Sequence, residues 1–454
     1  MTTLNEDRVD GALSVRDALT RLGPSDHHEC DVPLTPDTVA AHFAANFAGV
    51  PAVPAARSEC AVRYTGVGEI ALLLGLYGDE PRVRRFLPGF PVKVNPLTAR
   101  QALAEARTPV TAVRDAERLP DLSRLPILRT TPRDAGRYLT MGIVQSGDAL
   151  SVHRMLVLDD DHLAIWMLPS RHLRARYLAA TERGERLPVT INLGAPPAAM
   201  IAASLGTRFL PDGTTKLDVA GAFAGAPLAL APAVSQPEHV LATSEIVIEG
   251  HLDGTTSDEA TTTRVSMPEF LGYDGTAQRD LPVITVTAVT ARPGALYQAT
   301  IGPGREQSVI LGMAGAVSTA LSLDDPTIAD LHHTPAGGGM LTLVAAVTDL
   351  GPDANQRLAG ISQAIFTRHP FTKLIIYVDD DVDIRNPEDV LWAMTTRANL
   401  GVDAVTLPGF RPLGMDPSHS DTWDRGGGDN RTFINATVPS ALRDTFGRSF
   451  QEPG

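Results

Sequence analysis

The chain has 454 residues, of which 43% are hydrophobic and 20% charged, and its formal net charge is −14. That length suits about two to four domains with a sizeable core. The acidic balance disfavours nucleic acid as a main partner, because phosphate binding needs clustered Lys and Arg, yet it allows a small anionic ligand that feels only its own pocket.

The opening segment MTTLNEDRVDGALS is polar and acidic and lacks the basic and apolar regions of a signal peptide. No apolar run reaches the roughly 18 residues of a membrane span. Two cysteines, Cys30 and Cys60, are too few for a disulfide scaffold, and reduced thiols in a cytoplasmic protein are the simpler expectation.

Residues 1–115 read as an N-terminal α/β segment. In LTPDTVAAHFAANFAGV, Thr35 is an N-cap candidate, Pro36 fits the first helical position and Gly49 lies near the end. PLTARQALAEAR is a second helix, and the proline-rich ERLPDLSRLPILRTTPRDAG marks a boundary near residue 115. Residues 116–305 carry β-branched and aromatic runs between turn signals, which predicts a largely antiparallel sheet or barrel with helical insertions. GRYLTMGIVQSGD, SVHRMLVLDDDHLAIWML and RLPVTINLG are its first strands, with a hairpin turn at LDDDH, residues 158–162. PPAAMIAASLG is helical, and PLALAPAV, SEIVIEGHL and LPVITVTAVTA are strands again. Residues 306–454 alternate strand and helix, predicting an α/β domain with a C-terminal tail. The fold class is therefore α/β (α+β).

Candidate chemistry is sparse. Asp379, Asp380, Asp381 and Asp383 follow an apolar strand and could ligate Mg2+, although a solvated turn leading into a helix is the better reading. A metal-dependent phosphate-cleaving enzyme would need further ligand clusters. His332 and His333 precede Gly337, Gly338 and Gly339 and read as part of a turn, since neighbours on an extended chain point to opposite faces. Trp166 and Met167 read as core. Spacing alone identifies no reaction.

Seven segments taken together resemble the UbiD decarboxylase family, including its ferulate-decarboxylase branch, from about Pro126 to Arg397. They are TTPRDAGRYLTMGIV, SVHRMLV, LPSRH, LPDGTTKLDVAGAF, ATSEIVIEG, MPEFLGY and YVDDDVDIRNPEDVLWAMTTR. The resemblance implies a flavin-binding split β-barrel in the middle of the chain, a C-terminal α/β oligomerisation domain and a homodimer or larger homo-oligomer. It also implies prenylated FMN, supplied by a separate flavin prenyltransferase, and non-oxidative removal of CO2 from a small α,β-unsaturated, aromatic or heteroaromatic acid. The cofactor accepts the electron pair that CO2 leaves behind, while the protein supplies position and a proton.

Carried over position by position, the resemblance makes Arg154 the residue that orients the substrate carboxylate and Glu269 the proton donor, a role suited to a carboxyl held in a closed apolar pocket. Met267 and Phe270 are equally pocket wall or core. Ser151, Val152 and His153 fall on the loop that lines the flavin. Two departures stand out. The family's Asn, His and Glu ligands for a divalent metal (Mn2+ or Mg2+) at the cofactor phosphate correspond to Ala149, His172 and Lys216, which suggests that Lys216, with Arg171 and His172, binds the phosphate directly. A second family Glu, five positions before the proton donor, corresponds to Arg264, so the acid–Arg–acid set is incomplete unless Asp258 or Glu259 folds in. The alternative reading is a catalytically silent homologue that serves as a binding or assembly partner.

Overall fold

The computed structural model describes residues 12–48, 59–169, 171–260, 264–269, 271–302, 304–414, 416–419, 423 and 426–449. Gly49 and Phe270, named above, lie outside them. The chain divides into two compact units, one of residues 1–90 with 102–310 and the other of residues 91–101 with 311–454.

The first unit is organised around a closed barrel of six antiparallel strands: β1 (Tyr138–Ser146), β2 (Ala149–Val157), β3 (His162–Ile165), β4 (Leu187–Leu193), β5 (Ile246–Ser257) and β6 (Leu281–Ala291). Their order is β5-β4-β1-β2-β3-β6, and β6 pairs back onto β5 to close it. Closure leaves no exposed edge between these strands. Leu139, Val144, Met155, Leu163, Ile165, Val189, Ile191, Ile246 and Ile248 are buried in one continuous core. Register shifts in β5 at Glu249/Gly250 and Leu252/Thr256 bend it around the barrel. Gly250 is required there, because a Cβ would stand 2.3 Å from the Thr285 carbonyl oxygen of the neighbouring strand. The sheet character anticipated for residues 116–305 is therefore present, and the turn between β2 and β3 falls at Leu158–Asp161.

Helices interrupt the barrel sequence: α1 (His172–Glu182), α2 (Pro197–Ser204) and α3 (Lys216–Ala224). In the same unit, strands His27–Cys30, Ala61–Tyr64 and Ala71–Leu74 form a sheet with Leu296–Gln298. The early helix starts at Val39, not after Thr35, because Thr35–Thr38 closes a turn first, with Thr38 N–H and Val39 N–H both donating to the Thr35 carbonyl. Cys30 and Cys60 form no disulfide.

The second unit is a five-stranded sheet of β7 (Ile328–His333), β8 (Thr342–Val347), β9 (Leu374–Asp379), β10 (Ala404–Leu407) and β11 (Arg431–Ala436), in the order β7-β8-β9-β11-β10. β8, β9 and β11 run parallel, with the helices Ala354–Arg368 and Pro387–Thr396 in their connections. His332 and His333 belong to strand β7, opposite Val344 and Leu343, and not to a turn; the turn is confined to the glycines after them. Burial pushes the His333 imidazole down to about 3, so it is a neutral core residue bonded to Thr319.

The acids at the end of β9 divide: Asp380 and Asp383 are exposed on the way into the helix Pro387–Thr396, as a solvated turn requires, whereas Asp379 and Asp381 are ion-paired, and the described residues form no open metal site there. Asp379 accepts from Arg397 at 2.8 Å and from Arg443, Asp381 from Arg397 at 2.6 Å, and Asp389 from Arg448 at 2.5 Å. Three arginines thus neutralise three carboxylates and fasten the segment around Arg443 and Arg448 to the strand end. No helix among the described residues is long and apolar enough to cross a membrane.

Candidate active site

The site begins with one strand, β2. Alternation along a strand sends Ser151 and His153 to one face and Val152 and Arg154 to the other, so adjacent residues enter different surroundings.

On the Arg154 side the guanidinium lies over the indole of Trp166, 5.0 Å from the ring centroid. Nη1 donates to Glu269 Oε1 at 2.5 Å and Nη2 to Glu259 Oε2 at 3.2 Å. Glu269 directly follows the strand Val265–Pro268, which pairs with Asp274–Thr276 in a small hairpin. Its backbone N–H donates to the Tyr273 carbonyl at 2.8 Å and fixes the turn. Gly275 makes room for it, since a Cβ there would meet the Met267 carbonyl oxygen at 2.5 Å and Glu269 Oε1 at 2.9 Å. Met267, Leu156, Tyr138, Ala164 and Leu281 form the apolar floor beside this hairpin.

Glu259 is held independently of Arg154. The Tyr138 hydroxyl donates to its Oε1 at 3.1 Å and the Gln278 backbone N–H to its Oε2 at 2.9 Å. Burial, then the charge of Glu259, raises the Tyr138 phenol, so it stays a protonated donor. The two carboxyls differ in access: the Glu259 side chain is 1% exposed and that of Glu269 19%. Arg154 therefore stands between two acids, with Glu259 in the place the sequence left open; Asp258 is instead bonded to the Asp280 backbone N–H at 3.2 Å, and Arg264 is exposed. Arg154 Nε is buried and has no acceptor among the described residues.

On the opposite face, His153 Nδ1–H donates to the Trp166 carbonyl at 3.0 Å, which leaves Nε2 to accept from the Ser151 hydroxyl at 2.7 Å. Burial above all, with the charges of Arg171 and Lys216 added, pushes this imidazole down to about 3 and keeps it neutral. Lys216 is the first residue of α3; it is buried, and its Nζ donates to the Ala203 carbonyl at 2.8 Å. Burial, then Arg171, pushes its ammonium down to about 7. Ser151, His153, Arg171 and Lys216 are thus one cluster. Val152 is half-buried on the Arg154 face, and His172 opens α1 with an exposed side chain. Ala149, at the start of β2, is buried and offers no polar side-chain atom.

A cleft of about 710 Å3 opens beyond Glu259, lined by Arg129, Arg133, Asp134 and Asp258 among others. Neither Arg154 nor Glu269 lines it. Asp159, Asp161 and His162 group on the exposed β2–β3 turn at metal-like spacing; exposed acids commonly group without an ion.

Comparison with known proteins places this arrangement in context. The 3-octaprenyl-4-hydroxybenzoate carboxy-lyase (UbiD) Rift-related domain matches residues 102–306, and the C-terminal domain of the same family matches residues 310–436. Gallate decarboxylase of Lactiplantibacillus plantarum is 35% identical over 342 residues, covering 70% of this chain and 69% of that protein. Anhydromevalonate phosphate decarboxylase of Methanothermobacter thermautotrophicus is 31% identical over 339 residues, covering 72% of this chain and 75% of that protein. The apo structure of 3,4-dihydroxybenzoic acid decarboxylase from Enterobacter cloacae superposes with a TM-score of 0.87 at 31% identity, over 98% of each chain. The UbiD-class enzyme HmfF from Pelotomaculum thermopropionicum, in complex with FMN, superposes with a TM-score of 0.81 at 26% identity, over 96% of this chain and 97% of that one.

Proposed function

Because this chain belongs to the UbiD family of carboxy-lyases, we propose that it removes CO2 from a hydroxylated aromatic acid with prenylated FMN, using Arg154 to hold the carboxylate and Glu269 to return the proton. The substrate class follows from the gallate and 3,4-dihydroxybenzoate decarboxylases it resembles. The observation that carries the residue roles is the Arg154 guanidinium, bonded to two acids yet keeping a buried Nε with no acceptor among the described residues.

A buried donor without an acceptor is costly, and a substrate carboxylate would relieve it. Glu259 is sealed in and bonded to Tyr138 and Gln278, whereas Glu269 has solvent access, and in this reading it is the carboxyl that meets the substrate. Arg154 positions, Glu259 holds Arg154, and Glu269 protonates the carbon from which CO2 has departed. When bound, the prenylated flavin supplies the electron sink that makes loss of CO2 possible. The residues suit such a group: the main chain at Ser151–Arg154 offers a surface, and Arg171 and Lys216 offer charge for a phosphate. The silent-homologue alternative rests on the altered metal-ligand positions Ala149 and Lys216, whereas the two acids held by Arg154 support the active reading.

The test is turnover by protein co-expressed with a flavin prenyltransferase, offered gallate, 3,4-dihydroxybenzoate and cinnamate-type acids. The expected result is a phenol and CO2 from a hydroxylated benzoate, only in preparations carrying prenylated FMN. A preparation loaded with that cofactor that turns over none of these acids would contradict the proposal.

A further inference from the structure

Two cations in this fold stand where the backbone disfavours them. Lys216 is the first residue of α3, and Arg171 is the N-cap of α1, whose first turn has no side-chain cap. A helix N-terminus carries positive partial charge from its unpaired N–H groups, so it repels a cation and attracts an anion. Lys216 is only 4% exposed, and its sole described hydrogen bond, to the Ala203 carbonyl, leaves two ammonium hydrogens without a described acceptor. Burial and the like charge of Arg171 both work against the Lys216 ammonium, and the acid of the first turn of α3, Asp218, is taken up in a capping box with Thr215. Burial likewise depresses Arg171, and no acid among the described residues bonds to it. Arg154 and Arg397 are handled differently, each held between two acids. Buried charges are ordinarily paired, and no acid among the described residues bonds to this cluster, so it is suited to an anionic ligand.

A bridging divalent metal does not suit these residues. Ala149 offers a methyl group, and the Lys216 ammonium would repel a cation. His172 is exposed, and both ring nitrogens of His153 are already engaged, by the Ser151 hydroxyl and the Trp166 carbonyl. A phosphate suits all of them: it accepts from the ammonium, from the guanidinium and from the open N–H groups of the first turn of α1.

We infer that Lys216 and Arg171, at the N-termini of α3 and α1, hold the phosphate of the flavin cofactor directly, with no divalent metal between. The inference rests on the flavin-binding part of the proposed function and not on turnover.

Titration of the cofactor-free full-length protein with FMN and with riboflavin, in EDTA and then in MnCl2, tests it through flavin fluorescence. The expected result is that FMN binds more tightly than riboflavin in EDTA, and that Mn2+ adds nothing. K216M and R171Q should each weaken FMN binding by about ten- to a hundredfold, the usual worth of a hydrogen bond to a charged group, while leaving riboflavin unchanged. R171Q, at a less enclosed position, keeps the test valid should K216M fold poorly. Equal affinity for FMN and riboflavin, dependence on Mn2+, or wild-type FMN affinity in R171Q would each overturn the inference. Tight, metal-independent FMN binding, together with no turnover of any acid by protein loaded with prenylated FMN, would sustain it and count against the decarboxylase reading alone.

Discussion

Arg154 and Glu269 are 115 positions apart in sequence, and their side chains meet at 2.5 Å. One comes from a barrel strand and the other from the turn of a hairpin whose Gly275 has no side chain to obstruct it. The contact brings a fixed positive charge and an accessible carboxyl to one point, and the proposed division of labour between positioning and proton transfer starts from it.

Glu269→Gln should fold, retain its cofactor and lose decarboxylation. Gln keeps an acceptor for Arg154 but has no acidic proton to give. Removing a general acid typically costs about 10²–10⁴ in rate, so kcat should fall on that scale with cofactor content unchanged. Near-wild-type turnover in this variant would assign the proton to another group.

Arg154→Met should damage both activity and stability. It leaves Glu259 buried without its cation, and breaking a buried pair on one side costs about 3–5 kcal/mol. Arg154→Met/Glu259→Gln should recover much of that stability and none of the activity. Equal stability of the single and double variants in urea unfolding would show that the pair is not coupled.

Tyr138→Phe removes the hydroxyl that donates to Glu259 at 3.1 Å. An acceptor left without its donor costs about 1–3 kcal/mol. The midpoint of denaturant unfolding should fall with an unchanged slope. Because Glu259 orients Arg154, KM for the acid should also rise. A drop in stability with no change in KM would confine Tyr138 to packing.

Lys216 gives a pH signature of defined sign. Its ammonium is pushed down to about 7 in the fold, against 10.5 ordinarily. Between those values the unfolded chain binds the extra proton, so the ligand-free protein gains stability as pH rises from about 7 to 10.5 and loses it on the way back. The thermal midpoint of cofactor-free wild type, relative to Lys216→Met, should therefore increase across this window. FMN favours the charged ammonium, so its affinity should fall as pH rises through the same range. A pH-independent difference would remove Lys216 from the linkage.

The sequence and the fold agree unevenly, for physical reasons. Arg154 and Glu269 were legible because each sits in a segment with a family pattern, and the strand character of residues 138–165 and 187–193 was legible from β-branched runs between turns. Glu259 was open because its pairing depends on how the hairpin at residues 265–276 folds over β2, which local spacing does not encode. Buried Tyr138 was the missing signal: a phenol on the face of β1 near Arg154 needs an acceptor. The solvated turn read from the acids after β9 holds for exposed Asp380 and Asp383, whereas the pairing of Asp379 and Asp381 was not legible, since two of their arginines, Arg443 and Arg448, arrive from the tail. His332 and His333 were judged by the glycines after them, whereas β7 continues through both because Leu343 and Val344 pair with it.

The most direct test of the central claim is a reaction in D2O, with prenylated-FMN-loaded protein and a hydroxylated benzoate, reading the product by mass spectrometry and NMR. The account predicts one deuterium, at the carbon that bore the carboxylate, formed together with CO2, and loss of both in Glu269→Gln. Release of CO2 with deuterium incorporation undiminished in Glu269→Gln would contradict it.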